Sequence, residues 1–238
     1  MTRCVRTIIK TKEEQKMDNL EHLKVNPLIE GLLDGDGGRF NGVIFLMREP
    51  NTGGEKADDF WFKNCLNGTI PDRIADEKAY KGKFYTYNKK FIRLLSYIYQ
   101  DKNHDRVGEL KHSAYFNLRP DGGNARMSEA YKALRDTPDQ CKYRFGQILA
   151  YCTERIRTDD GKGTLNIFTC WDIANALQKH KIIPKACDDL TQKNGAAFKH
   201  GEEYKRRDYV QFEHNGLAIH IYAIDHPSYS SHVCYKGE

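Results

Sequence analysis

Four short apolar runs in this chain each lead into a cluster of residues able to do chemistry. Gly42-Val-Ile-Phe-Leu-Met47 runs into Arg48-Glu49-Pro50-Asn51-Thr52-Gly53-Gly54, and Ser113-Ala-Tyr-Phe-Asn-Leu118 into Arg119-Pro120-Asp121-Gly122-Gly123. Leu165-Asn-Ile-Phe-Thr-Cys170 is followed by Trp171-Asp172, and Leu217-Ala-Ile-His-Ile-Tyr-Ala-Ile224 by Asp225-His226-Pro227-Ser228-Tyr229-Ser230-Ser231. Together these exits supply a carboxylate (Glu49), an amide (Asn117), an indole (Trp171) and an imidazole (His226). A carboxylate and a histidine held in one cleft form an acid/base or charge-stabilising pair. A side-chain amide presents both a donor and an acceptor to a ligand edge. Taken singly, each residue has a plainer reading. Glu49 before Pro50 is then a solvated turn residue, and Asn117 ahead of Arg-Pro-Asp-Gly-Gly is turn chemistry. Their occurrence one per run is what joins them.

The runs have the length of buried strands. Between them lie helical patterns at 86–99, from Pro138 to about Ile156, and from Asp172 to Lys179. Buried strands separated by helices predict an α/β fold, a three-layer α/β/α sandwich with a four-stranded, mainly parallel sheet. In such sheets ligands bind where the carboxyl ends of the strands release their loops, which is where the four clusters fall. Upstream, Leu20, Leu23, Val25, Leu28, Ile29, Leu32 and Leu33 recur at helical spacing and stop at Asp34-Gly-Asp-Gly-Gly38. Residues 1–16 read as a charged lead-in, 17–238 as one domain, and the polar stretch 188–208 as mostly loop.

Of the 238 residues, 39% are hydrophobic and 11% aromatic, with a mean hydropathy of −0.75, which together exclude wholesale disorder. No apolar run approaches the roughly 18 residues of a membrane helix, so no membrane association is expected. The seven cysteines include no Cys-x-x-Cys, and none lies at zinc-ligand spacing with a histidine. Reduced thiols in an intracellular protein, cytoplasmic or nuclear, are expected, with no metal and no cofactor. A net charge of +5 permits a nucleic-acid partner without indicating one.

The four clusters resemble the motifs of the uracil-DNA glycosylase superfamily. That family has a first strand running into a Gly-Gln-Asp-Pro-Tyr or Gly-Met-Asn-Pro type of loop, and a second ending in Leu-Leu-Asn. Its third strand ends in Leu-Trp-Gly before a helix, and its fourth runs into His-Pro-Ser. This chain has Met47-Arg-Glu-Pro-Asn51, Tyr115-Phe-Asn117, Cys170-Trp-Asp172 and His226-Pro-Ser228, in that order. The resemblance spans about Asn41 to Ser231. Met47 stands where the family's first loop opens on glycine, Glu49 where it has Asp or Asn, and Asp172 where it has glycine. Tyr229-Ser230 replaces the Pro-Leu that carries the family's wedging leucine.

The resemblance implies an enzyme, a DNA glycosylase hydrolysing the N-glycosidic bond of uracil or a related damaged base flipped from the helix. Positive charge develops on the sugar and negative charge on the leaving base. Glu49 would stabilise the first and orient water, while His226 would donate to the base oxygen that gathers the second. Asn117 would read the base edge, its amide held by a neighbour such as backbone near Arg119. Phe62 would cover the base face, although a trio such as Phe60-Trp61-Phe62 is more often a core pattern. Ser228, Gly53 and Ser230 would hold phosphates of DNA through hydroxyl and backbone N–H groups. A monomer is expected. Asp172 would set a negative charge near the phosphate path. The alternative, motivated by the first-loop departures and the missing wedge, is a nucleic-acid- or nucleotide-binding member of the same fold without turnover.

Overall fold

A computed structural model describes residues 20–27, 30–33, 38–49, 91–95, 98–101, 103–120, 123, 126–156, 163–184 and 209–224. The fold is mixed α/β, built on a six-stranded mixed sheet. Its strands are β1 (Gly31–Leu32), β2 (Val43–Met47), β3 (Ala114–Asn117), β4 (Thr164–Cys170), β5 (Tyr209–His214) and β6 (Leu217–Ile224), in spatial order β1-β3-β2-β4-β6-β5. The predicted runs are the four inner strands β3, β2, β4 and β6, all mutually parallel. The sheet is nonetheless wider than the four strands expected, because β1 and β5 add an antiparallel strand at each edge.

β2 explains why the prediction works at the centre. All five of its side chains are buried, as a strand with parallel neighbours on both sides and cover on both faces requires. β5 joins β6 through Asn215-Gly216, with φ of 48° and 79°. Two consecutive left-handed residues make the two-residue hairpin whose twist matches its strands, so the chain directly after the polar 188–208 stretch is sheet.

Among the described residues the helices are α1 (Arg106–Lys111), α2 (Glu129–Asp136), α3 (Pro138–Arg155) and α4 (Trp171–Lys179), and residues 91–95 are also helical. The helix expected from the leucine spacing at 20–33 is not formed. Glu21–Leu23 is a single 3₁₀ turn, and Gly31–Leu32 has joined the sheet. Pro27 disfavours helical geometry at Asn26, and Gly31 sits at φ +114°, where its missing Cβ makes room for the Tyr151 ring.

Across the sheet, Tyr115, Phe45, Phe168 and Tyr222 occupy one register row, so their side chains share a face. Phe91 stacks on Phe45 there, with ring centroids 4.1 Å apart. Phe116, one residue along from Tyr115, faces the opposite way and meets the ring of Tyr151 from α3 edge-on at 5.5 Å. Phe91, in the connection leaving β2, thus lies on one face, and α3, in the connection leaving β3, on the other. The chain leaving β2 goes to β3 on one side of the sheet and the chain leaving β4 to β6 on the other, so the strand order reverses between β2 and β4, the switch point at which open α/β sheets bind ligands.

Candidate functional site at the carboxyl edge of the sheet

Backbone pairing between β2 and β3 continues past both strands. Leu118 N–H donates to the Met47 carbonyl at 2.7 Å, and Arg119 N–H to the Arg48 carbonyl at 3.0 Å. The two exits therefore leave side by side, with Arg119 beside Glu49. Its Nη1 donates to Glu49 Oε2 at 2.8 Å. The remaining donors come from Ser128, the N-cap of α2: its Oγ donates to Oε2 at 2.6 Å and its N–H to Oε1 at 2.8 Å. The same Oγ accepts the Tyr131 N–H at 3.0 Å, so one hydroxyl both caps the helix and holds the carboxylate. The Glu49 side chain is only 5% exposed, and its charge lies against the positive end of α2. Gly123 packs against it so closely that a Cβ there would fall 2.5 Å from Glu49 Cδ.

Arg48, the residue before, turns to a different helix. Its Nε donates to both oxygens of Asp172, at 3.0 and 3.1 Å. Tyr131 of α2 completes that carboxylate with a 2.7 Å hydrogen bond from its hydroxyl to Oδ2. Burial first, then the adjacent Asp172 charge and the hydrogen bond, hold the Tyr131 hydroxyl far above its ordinary range, so it stays a donor. The Asp172 charge is therefore taken up within the protein, by Arg48, rather than left standing beside a phosphate path.

Asn117 ends β3 with its side chain buried, and its Oδ1 accepts from the Tyr115 hydroxyl at 3.3 Å. Residues two apart on a strand share a face, which is why Tyr115, rather than backbone near Arg119, is the amide's neighbour. The Asn117 main-chain carbonyl is held from beneath by Arg144 of α3, through Nε at 3.1 Å and Nη2 at 2.6 Å. Trp171 opens α4 directly after β4 and remains 42% exposed.

The sheet thus brings Glu49, Asn117 and Trp171 to one edge. β6 runs parallel to β4 and ends at Ile224, opposite Cys170, on that same edge. His226, Ser228 and Ser230 come after it in the chain, and these three, with Phe62 and Gly53, lie outside the described residues. Ser128, Tyr131 and Arg144 carry no site signal in the sequence; Arg119 and Gly123 lie in the cluster after β3, but nothing local pairs them with Glu49. Ser128 followed by Glu129 is a readable helix start; nothing local ties it to Glu49. Among the described residues, no three His, Cys, Asp or Glu side chains are grouped to hold a metal, and no helix is long and apolar enough to cross a membrane.

The edge combines a fixed carboxylate, a buried amide hydrogen-bonded to a tyrosine hydroxyl and an exposed indole, a set suited to a planar, hydrogen-bonding ligand. No protein-family model, curated protein or solved structure matches this chain.

Proposed function

We propose that this protein is a DNA glycosylase of the uracil type, an intracellular base-excision repair hydrolase built on an α/β/α sandwich. The observation that carries the reading is the common edge. Glu49, Asn117 and Trp171 leave three parallel strands there, and the fourth, β6, ends two residues before His226.

In this reading the flipped base presents its edge to the Asn117 amide, which the Tyr115 hydroxyl holds in place. Phe62 covers the base face. Glu49 acts as a fixed negative charge toward the sugar, held in one orientation by Ser128 and Arg119. Charge already in position costs no reorganisation as the transition state forms. His226 donates to the departing base oxygen, and Ser228, Ser230 and Gly53 grip the flanking phosphates. The protein acts as a monomer on DNA and uses no cofactor.

One observation favours a second reading, a nucleic-acid- or nucleotide-binding protein without turnover. Both oxygens of Glu49 already accept hydrogen bonds, one of them from an arginine, which leaves the carboxylate little freedom to orient water. Incubating the purified protein with end-labelled single strands and duplexes carrying one uracil, then cleaving abasic sites with alkali, separates the two. Strand scission at the uracil supports the glycosylase. Binding without scission, at enzyme excess over long incubation, supports the second reading.

A further inference from the structure

Three hydrogen bonds run in series from Asp172 to Glu49. The Tyr131 hydroxyl donates to Asp172 Oδ2 at 2.7 Å, the Tyr131 N–H to Ser128 Oγ at 3.0 Å, and the Ser128 hydroxyl to Glu49 Oε2 at 2.6 Å. Arg48 closes the series into a ring: it precedes Glu49 in the chain, and its Nε donates to both oxygens of Asp172. The middle of the ring leaves little play. A hydroxyl has one hydrogen and two lone pairs. That of Ser128 gives its hydrogen to Glu49 and accepts from Tyr131 and, at 3.2 Å, from Arg119. Tyr131 is completely buried, so its ring cannot swing without repacking the interior around it. Asp172 in turn lies in the first turn of α4, where a negative charge is favoured. Tyr131 therefore fixes the start of α2, which carries Ser128, against the start of α4, which carries Asp172.

We propose that Asp172 is a positioning residue for the Glu49 carboxylate, acting through Tyr131 and Ser128. It reaches Glu49 by two routes, at the carboxylate through the hydrogen-bond series and at the backbone through Arg48. Because Arg48 pairs with the Asp172 charge, the influence travels through the hydrogen bonds rather than through the field. A carboxylate that must face a developing positive charge works best when it is set before the reaction begins. Ser128 and Arg119 set it from α2 and the exit of β3; Asp172 extends that fixing to α4. The position of the carboxylate is a property of the fold, whereas its effect on excision rests on the glycosylase reading above.

The test compares three variants of the full chain, each first checked for the wild-type circular dichroism. Tyr131→Phe removes only the hydroxyl, Asp172→Ala removes its acceptor, and Asp172→Asn removes the charge but keeps an oxygen for that hydroxyl. Single-turnover excision of uracil should fall about tenfold in the first two, less than the roughly 100-fold of a 1 Å misplacement. The half-saturating concentration should not change, and Asp172→Asn should recover most of the loss. In a Glu49→Gln background the same substitutions should cost nothing further. A second readout needs no activity. In protein labelled with carbon-13 at the glutamate carboxyl, the Glu49 resonance is assigned by its absence from Glu49→Gln. It should move in Tyr131→Phe and Asp172→Ala and return toward its wild-type place in Asp172→Asn. That pattern in a wild type that excises nothing retains the inference and removes the glycosylase reading. Excision by the wild type with a Glu49 resonance that none of the variants moves retains the glycosylase and overturns the inference. An equal loss of excision with and without the Glu49 carboxylate also overturns it, since a merely structural role acts in both backgrounds. Equal movement in both Asp172 variants assigns the effect to the lost charge and overturns it as well. Should Tyr131→Phe fail to fold, the contrast between Asp172→Ala and Asp172→Asn decides by the same two readouts.

Discussion

Arg144 and Asn117 are joined through the backbone rather than through the amide: the guanidinium donates twice to the Asn117 carbonyl, at 3.1 and 2.6 Å. Arg144 is completely buried, pairs with buried Glu30 through Nη2 and donates Nη1 to the Leu23 carbonyl at 3.1 Å. One side chain thus fastens the N-terminal segment and α3 to the end of β3. A charge held this deep is tolerable only because every side of it is engaged.

Removing the guanidinium leaves the Glu30 carboxylate buried without its partner. Arg144→Met should therefore cost about 3–5 kcal/mol in urea unfolding, with Arg144→Lys intermediate. Replacing both members, Arg144→Met with Glu30→Leu, should recover a large part of that loss, since neither charge then remains buried. Additive losses in the double variant would show that the two charges are not coupled.

Gly123 gives a route to Glu49 that leaves the carboxylate chemically intact. A methyl group there meets Glu49 Cδ at 2.5 Å and both oxygens at under 3 Å, while Ser128 and Arg119 hold those oxygens from the other side. Gly123→Ala should lower stability by about 1–3 kcal/mol through overpacking. Excision should fall as it does in Glu49→Gln, on the order of 100-fold, with oligonucleotide affinity changed only severalfold. Adding Glu49→Ala to Gly123→Ala should restore stability but not excision. If Gly123→Ala excises uracil at the wild-type rate, the position of Glu49 does not matter to the chemistry.

Two groups remote from the site contribute to the acid limb of stability. Burial alone would raise the Glu109 carboxyl, but hydrogen bonds from Asn41 and Tyr99 and the nearby His104 bring it below its ordinary 4.5. Burial lowers His220 below its ordinary 6.5. In both cases the unfolded chain binds protons more readily, so stability falls with falling pH. The His220 contribution is complete above about pH 6.5 and drains away below it; the Glu109 contribution is complete above about 4.5 and is lost as pH drops through its lower folded value. Glu109→Gln should be less stable at pH 7 and show a flatter decline below pH 4.5, read from denaturant midpoints across pH. Parallel curves for wild type and variant would contradict this.

The inner sheet was legible because β2, β3, β4 and β6 are apolar runs of strand length separated by helical patterns. The same logic put Glu49, Asn117 and Trp171 at one edge, since residues that end parallel strands must emerge together. What escaped was non-local or depended on backbone sign. Glu49 meets Arg119 and Ser128 across 70 and 79 residues of sequence, and periodicity carries no information about such meetings. Arg144 sits on the apolar face of α3, where a charged residue reads as a break in the pattern rather than as a clamp. The β5–β6 hairpin had a signal in Asn215-Gly216, with Val210 and Phe212 alternating before it, but it comes after a polar stretch read as loop. The leucines at 20–33 fit helical spacing, yet Pro27 and Gly31 override a period that only side chains define.

Under the proposed function, base selectivity rests on the Asn117 amide. Uracil presents an acceptor at O4 beside a donor at N3, whereas cytosine presents a donor amine beside an acceptor nitrogen. An amide turned with its NH₂ toward O4 and its oxygen toward N3–H matches uracil, and turned over it matches cytosine equally well. The Tyr115 hydroxyl donates to Oδ1 at 3.3 Å; because a phenol also accepts, it anchors the amide in either orientation. Asn117→Asp keeps the acceptor for Tyr115 and removes the donor toward O4, placing a buried carboxylate against an oxygen it repels. Excision of uracil should fall on the order of 100-fold or more, and the uracil-to-cytosine rate ratio should fall with it. Tyr115→Phe should lower uracil excision by a smaller factor while leaving uracil affinity within severalfold, because the amide then loses its anchor. The measurement is single-turnover excision on matched strands carrying either base at one position. If Asn117→Asp and Asn117→Ala both keep the wild-type ratio, Asn117 is a strand-end residue held by Arg144 for structural reasons, and the base is read elsewhere on this edge.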